Sequence, residues 1–180
     1  MLRLVSVLIC NFVRYIYCRL IYGKRYKSNI IERISNKASI TLFSKGTIDI
    51  GRNIELAPFV DVQVHGNGSC KIGDLTYMNR YCMISCHGKV TIGNNCMFGP
   101  GVRIFDNNHR FSKDKGVSAD LKIGEIIIGD NCWIASDVIL LKGAEIGDNC
   151  VIGAGCIIDR NIPANSLVRN SQQLIIDSLK

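Results

Sequence analysis

Between Ile128 and Ile158 every sixth residue is aliphatic: Ile128, Ile134, Leu140, Ile146, Ile152 and Ile158. Gly129, Ala135, Gly147 and Gly153 follow four of them. Four residues after each aliphatic stands a compact side chain, in turn Cys132, Val138, Ala144, Cys150, Cys156 and Ile162. A helix repeats about every 3.6 residues and a strand every two, so neither produces this period. A strict hexad is what a chain gives when it winds as a triangular solenoid of short strands, one hexad to a side. The fold class expected is therefore all-β.

The frame extends towards the N-terminus. Ile92, Phe98 and Ile104 continue it, preceded by Ile72, Met78 and Ile84, and before those Ile50, Leu56 and Val62. The compact slot holds Ile54, Val60, Thr76, Cys82, Gly88, Cys96 and Val102. The longer steps from Val62 to Ile72 and from Ile84 to Ile92 read as corner insertions, one of them the turn-rich His65-Gly66-Asn67-Gly68. About five coils are implied at three hexads per turn. Between Ile104 and Ile128 the count would put Arg110, Gly116 and Lys122 in aliphatic slots. A close-packed interior does not accept bare charges. Residues from Phe105 to about Glu125 are therefore expected to leave the coil as a projecting loop, with Asp106, Asn107, Asn108, His109, Arg110 and Phe111 near its root. A long loop in an otherwise economical solenoid is a natural place for function.

Solenoid ends need covers. The reading divides the chain into a basic amphipathic extension (1–29), the solenoid (30–163) and a C-terminal cover (164–180) built on Leu174, Ile175, Ile176 and Leu179. The formal charge is +7, and Arg3, Arg14, Arg19, Lys24, Arg25 and Lys27 supply six of it in a segment that has no acid. The rest is close to neutral, so the solenoid offers no basic face for nucleic acid. Arg3, Arg14 and Arg25 are spaced by eleven and share a helical face with Asn11, and the uncharged run Leu4–Val13 is too short to span a bilayer. Two readings fit: a helix lying in the interface of the inner membrane face, with Tyr15, Tyr17 and Tyr22 near the headgroups, or a helix that caps the solenoid. No small-x-small cleavage site follows the apolar run. The expected location is the cytoplasm, peripheral to that membrane.

The chain has nine cysteines. Cys82, Cys96, Cys132, Cys150 and Cys156 share the compact slot with alanine, valine and threonine, and no C-x-x-C occurs. Their expected role is volume, as buried free thiols in a reducing compartment.

The hexads, the single loop, the stretch Ile128–Ala135 (Ile-Gly-Asp-Asn-Cys-Trp-Ile-Ala), Gly99-Pro100, the D-x-x-H of Asp106–His109 and Ile152–Cys156 together resemble the hexapeptide-repeat acyltransferases. The similarity is to the branch holding galactoside and maltose acetyltransferases and bacterial surface-polysaccharide O-acetyltransferases, over about residues 45–165. The resemblance implies a left-handed parallel β-helix, an exception to the usual crossover hand. It also implies a homotrimer with acetyl-CoA between subunits. Matched motif to motif, His109 falls at the general base. Ser136, Ala154, Gly155 and Arg160 fall along the coenzyme groove, and Trp133 falls at its wall. Asp106 would orient the His109 ring, while Asn79, Tyr81 and Asn108 would face the sugar or glycan acceptor. The chain departs from the pattern at Asn107, where a second histidine is common, at Tyr81, where asparagine is common, and at Arg169-Asn170-Ser171-Gln172 near the C-terminus.

The implied reaction is acetyl transfer from acetyl-CoA to a sugar hydroxyl, in surface polysaccharide or glycan synthesis. It needs positioning and one proton acceptor, and imidazole titrates near neutrality. N-acetylation of an amino sugar or nucleotide sugar is the alternative within the family, and a non-catalytic solenoid lies outside it. A zinc site would need three converging imidazoles. His65, His87 and His109 lie 22 residues apart without close pairing, so no metal is expected.

Overall fold

A computed structural model describes residues 2–171, with side chains from Val7 onward. The proposed C-terminal cover and the Arg3 side chain lie outside the described residues. The chain coils as a left-handed β-helix with three parallel faces of seven, seven and six strands. The first face contains Tyr26–Lys27, Thr47–Ile50, Ser69–Ile72, Lys89–Ile92, Glu125–Ile128, Glu145–Ile146 and Asn161–Ile162. The second contains Arg33–Ile34, Glu55–Leu56, Tyr77–Met78, Met97–Phe98, Trp133–Ile134, Val151–Ile152 and Leu167–Val168. The third contains Ser39–Leu42, Asp61–Val64, Met83–Cys86, Arg103–Phe105, Ile139–Leu141 and Ile157–Ile158. Alternate residues of each strand are buried, as the two-residue pleat requires. The hexad aliphatics thus stack coil upon coil, Ile50 on Ile72 on Ile92 on Ile128 on Ile146, and Ile162, which the hexad count puts in the compact slot, stands in the aliphatic column above Ile146.

Six complete coils stand where five are expected. The additional coil, Tyr26 to Leu42, pairs in register with the next one, and Ser28 falls where later coils place isoleucine. That one substitution hides it from the hexad count.

The hexad's fourth residue turns the corner in the left-handed backbone region, which asparagine and glycine tolerate best. Asn53, Asn95, Asn131, Asn149 and Asn165 do so between the first and second faces, at φ of 53–61°. Above them, main-chain N–H groups of successive coils donate to the next coil's side chain: Arg52 to Asp74, Asp74 to Asn94, Asn94 to Asp130 and Asp130 to Asp148, at 2.7–2.8 Å. Inside that corner, the Cys96, Cys132 and Cys150 thiols donate to the carbonyls of Gly129, Gly147 and Pro163 at 3.1–3.2 Å. The thiols therefore do more than fill volume. Each satisfies a carbonyl that the corner leaves without a strand partner.

The loop expected at 105–125 is an antiparallel hairpin, Asn107–Ser112 paired with Gly116–Ile123. An N-terminal helix, α1 (Leu2–Tyr22), is ended by Gly23 at φ 59° and lies on the first coil.

Candidate active site

The hairpin leaves the coil beside one buried carboxylate. Phe105 pairs with Ser85, so Asp106 stands beside Cys86 in a slot that points into the core. It is fully buried and accepts N–H bonds from His87 (2.8 Å) and Gly88 (2.7 Å) and one from the Asn107 side chain (3.1 Å). Its main-chain carbonyl accepts from Gly124 at 2.8 Å, closing the hairpin's root. Burial, with the Asp106 charge added, pushes the Cys70 thiol well above its ordinary range.

This corrects the sequence expectation for Asp106. Its oxygens are committed to the preceding coil, and the His109 ring finds another partner: Nδ1 lies 3.0 Å from the main-chain oxygen of Ser118 on the opposite hairpin strand. A carbonyl oxygen only accepts, so Nδ1 carries a hydrogen, which in the neutral ring leaves the lone pair on Nε2. His109 is exposed. The hairpin therefore presents an imidazole whose Nε2 makes no intramolecular bond among the described residues. Asn108 is exposed beside it, and Asn107 is tied back to the Ser85 carbonyl at 3.2 Å.

The corner from which the hairpin springs carries a column the sequence reading leaves as ordinary corner residues. Phe43, His65 and His87 stack face to face, with ring centroids 4.4 Å apart at each step. The His87 pKa is lowered by burial first, then by the His65 charge and by His109, against a raising influence from Asp106. His87 is thus biased towards its neutral form in the hairpin's neighbourhood. The rings present faces to one another, so their nitrogens do not converge on a common point.

The other expected site residues gather at a different corner, between the second and third faces. There Asn79-Arg80-Tyr81, Gly99-Pro100-Gly101, Ala135-Ser136-Asp137 and Gly153-Ala154-Gly155 stack on successive coils. The Gly155 N–H donates to the Ser136 carbonyl at 3.0 Å. Gly99 is required for the close approach, since a Cβ there would lie 2.5 Å from the Ser136 nitrogen. The upper part of this corner is backbone and small side chains, with the Asp137 carboxylate lying over Gly101. Its lower part is walled by Phe59 and Tyr81, stacked at 5.2 Å, both in the left-handed region at φ of 66° and 63°. Trp133 lies half-exposed on the strand leading into the corner, between Met97 and Val151. Asn79 also lines a groove of about 940 Å³ that runs down the second face to α1, past Tyr77, Glu55 and Arg33.

Arg160 does not join this group. It sits on the hairpin's side of the third face, next to Asp159 at 2.9 Å. Arg169 instead stands one coil above the bare corner, its Cα 3.5 Å from where a Gly153 Cβ would be. The sequence reading treats Arg169 only as a departure from the C-terminal pattern. Carrying the register from Ile152 to Val168 would have placed it.

Two half-sites result, separated by the width of the third face. Four strand residues at about 3.3 Å each put roughly 13 Å between them.

A family model for the bacterial transferase hexapeptide (six repeats) matches residues 125–160. Galactoside O-acetyltransferase of Escherichia coli K12 is 34% identical over 116 residues, 64% of this chain and 56% of that protein. This chain thus spans little more than half the length of that relative. A second E. coli K12 protein, WbbJ, named for lipopolysaccharide biosynthesis O-acetyl transfer, is 26% identical over 93% of this chain and 88% of its own length. Among solved structures, the hexapeptide-repeat acetyltransferase VCA0836 of Vibrio cholerae, complexed with acetyl coenzyme A, superposes with a TM-score of 0.56 at 18% identity. The match covers 97% of this chain and 84% of that one and confirms the fold.

Proposed function

We propose that this chain, which belongs to the hexapeptide-repeat transferases, is an acetyl-CoA-dependent O-acetyltransferase that acylates a sugar hydroxyl as a cyclic trimer. The observation that carries the reading is the division of the site. A free imidazole nitrogen stands on one edge of the third face and a bare backbone corner on the other. A cyclic arrangement brings the hairpin of one subunit to the corner of the next. The second face supplies a surface for that contact. Tyr77, Met97, Trp133, Val151 and Leu167 form an outward column in register, and Met97, Trp133 and Leu167 are about half to two-thirds exposed.

The corner suits a coenzyme A arm. Gly99, Ala135, Ala154 and Gly155 offer little side chain to obstruct a pantetheine running along the coils, the Asp137 carboxylate lies over Gly101, and Arg169 stands above for the nucleotide phosphates. At the hairpin, Nε2 of His109 takes the proton from the acceptor hydroxyl as its oxygen attacks the thioester carbonyl. The Ser118 carbonyl on Nδ1 stabilises the imidazolium that forms. The same proton is then available to the departing thiolate. The names of the sugar-acetylating relatives support a sugar as the acceptor.

The test is a screen of sugar acceptors with acetyl-CoA, read as free thiol release, run beside His109→Ala. The variant should bind acetyl-CoA as the parent does, by calorimetry, and lose roughly 10²–10⁴ in kcat. An active His109→Ala enzyme with an unchanged pH profile would place the base elsewhere. Release that requires an amine rather than a hydroxyl would move the reading to N-acetylation.

A further inference from the structure

Helix α1 is mounted with its polar side inward. In this solenoid alternate carbonyls accept from the coil below: Ile54, Leu56, Val60, Gly66 and Gly68 accept from Arg33, Ser35, Ser39, Lys45 and Thr47. The corresponding first-coil carbonyls, one turn earlier, belong to Glu32, Ile34, Ala38, Ser44 and Gly46, and have no coil beneath them. The Asn11 side chain donates to Glu32 at 2.7 Å, and Arg14 donates to Ile34 (3.2 Å) and Ala38 (3.3 Å). Arg25 donates to Ser44 (2.7 Å) and Gly46 (3.2 Å). These donors take the place of the missing strand, and they locate the helix across the end of the prism. Asn11, Arg14 and Arg25, read from sequence as part of a face for lipid headgroups, are therefore part of the cap.

The opposite side of α1 is left open and is apolar. Ile9 is 59% exposed, Phe12 50%, Val13 60%, Ile16 43%, Leu20 80% and Ile21 51%. It points along the prism axis, away from the coils. Neighbours in a cyclic trimer stand beside the prism and do not cover it.

We infer that this face of α1 docks on an anionic lipid bilayer, lying in the interface with the prism upright. Charge selects this occupant over a second copy of the chain. Arg14, Arg19 and Arg25 bond to carbonyls rather than carboxylates, and Lys24 and Lys27 are exposed without ion pairs among the described residues. The end is thus apolar with a cationic rim, and pairing two such ends would set like charges against each other. An anionic leaflet complements both features. No described helix is long and apolar enough to cross a membrane, so α1 would lie on the surface. The trimer proposed above would make three such ends coplanar, but docking of one end does not depend on it.

The test is flotation of the full chain with vesicles of phosphatidylcholine alone or mixed with phosphatidylglycerol. Binding should require the anionic lipid and weaken with salt. Ile16→Asp with Leu20→Asp should reduce it more than tenfold while thermal stability and oligomer size stay as in the parent. Lys24→Gln and Lys27→Gln, both at exposed positions, should each cost about fivefold on anionic vesicles only. Equal binding to both vesicle types would overturn the inference, as would unchanged binding by the lysine variants. A parent that ignores vesicles and has twice the mass of its Leu20→Asp variant would show that a second copy covers the face.

Discussion

Replacing Asp106 by alanine separates two roles that the D-x-x-H motif leaves together. In the folded chain its carboxylate is fully buried and receives the His87 and Gly88 N–H groups. Truncation strands both donors in a site closed over by the returning hairpin strand. An unsatisfied buried donor costs about 1–3 kcal/mol, so the two together predict a loss of about 2–6 kcal/mol. Glycine at 88 accepts no compensating side chain, because the return strand passes directly over it. Chemical denaturation should show this as a lower midpoint with an unchanged slope. Asp106→Asn keeps one acceptor oxygen and should lose less. Residual acetyl transfer by the folded asparagine variant should keep the parent's dependence on pH, because the His109 ring is held by Ser118 and not by Asp106. A variant of parental stability whose kinetic ionisation moves would refute this reasoning. It would mean that Asp106 turns to the imidazole in the working enzyme.

Two further outcomes follow from the packing. Glu32 is buried beneath α1, and burial, reinforced by the Asp74 charge and opposed by the Ile54 N–H, pushes its pKa up from 4.5 to about 7. Between those values the folded chain holds a proton that the unfolded chain has released. Stability should therefore fall as pH rises through that window, by at most about 3 kcal/mol, and Glu32→Gln should abolish the slope in denaturation at pH 5, 6 and 7. Gly99→Ala would set a Cβ 2.5 Å from the Ser136 nitrogen and 2.8 Å from the Ala135 carbonyl carbon, where only backbone can yield. It should cost more than about 2 kcal/mol and weaken acetyl-CoA binding, measured by calorimetry, more than an Ala154→Gly control does.

The solenoid was legible because its chemistry is repeated. An inward aliphatic, a small residue after it and a left-handed corner residue recur in every coil, so each copy confirms the register of the others. The hairpin was legible for the inverse reason, since Arg110 and Lys122 cannot occupy the core. What the repeat could not reveal depends on single contacts between coils. Nothing in the spacing says that Asp106 faces inward, because a core slot is the last place to expect a carboxylate. Two backbone N–H groups on the preceding coil make that slot polar, and they are visible only once Phe105 is paired with Ser85. Arg160 and Arg169 differ in the same way. Both follow a hexad aliphatic, and only the face on which that aliphatic lies decides which corner the arginine reaches.

The N-terminal helix carries the same lesson to the end of the prism. An amphipathic segment beside a folded domain is ordinarily expected to turn its apolar side to the protein. That expectation assumes an apolar partner. The end of a parallel coil is apolar only at its centre, where Cys18 of α1 packs with Tyr26 and Ile34. Around the rim it presents carbonyls whose acceptor capacity is unmet in the absence of a preceding strand. A covering segment must then bring donors, and Asn11 and Arg14 of the helix with Arg25 just after it meet the five carbonyls of the open turn, Arg14 bonding the Ser35 carbonyl as well. Once Asn11 and Arg14 face inward, the remaining arc of the helix has to face outward. That arc could have been lysine and glutamate had the cap been its whole purpose. It is instead isoleucine, phenylalanine, valine and leucine, covered by nothing among the described residues.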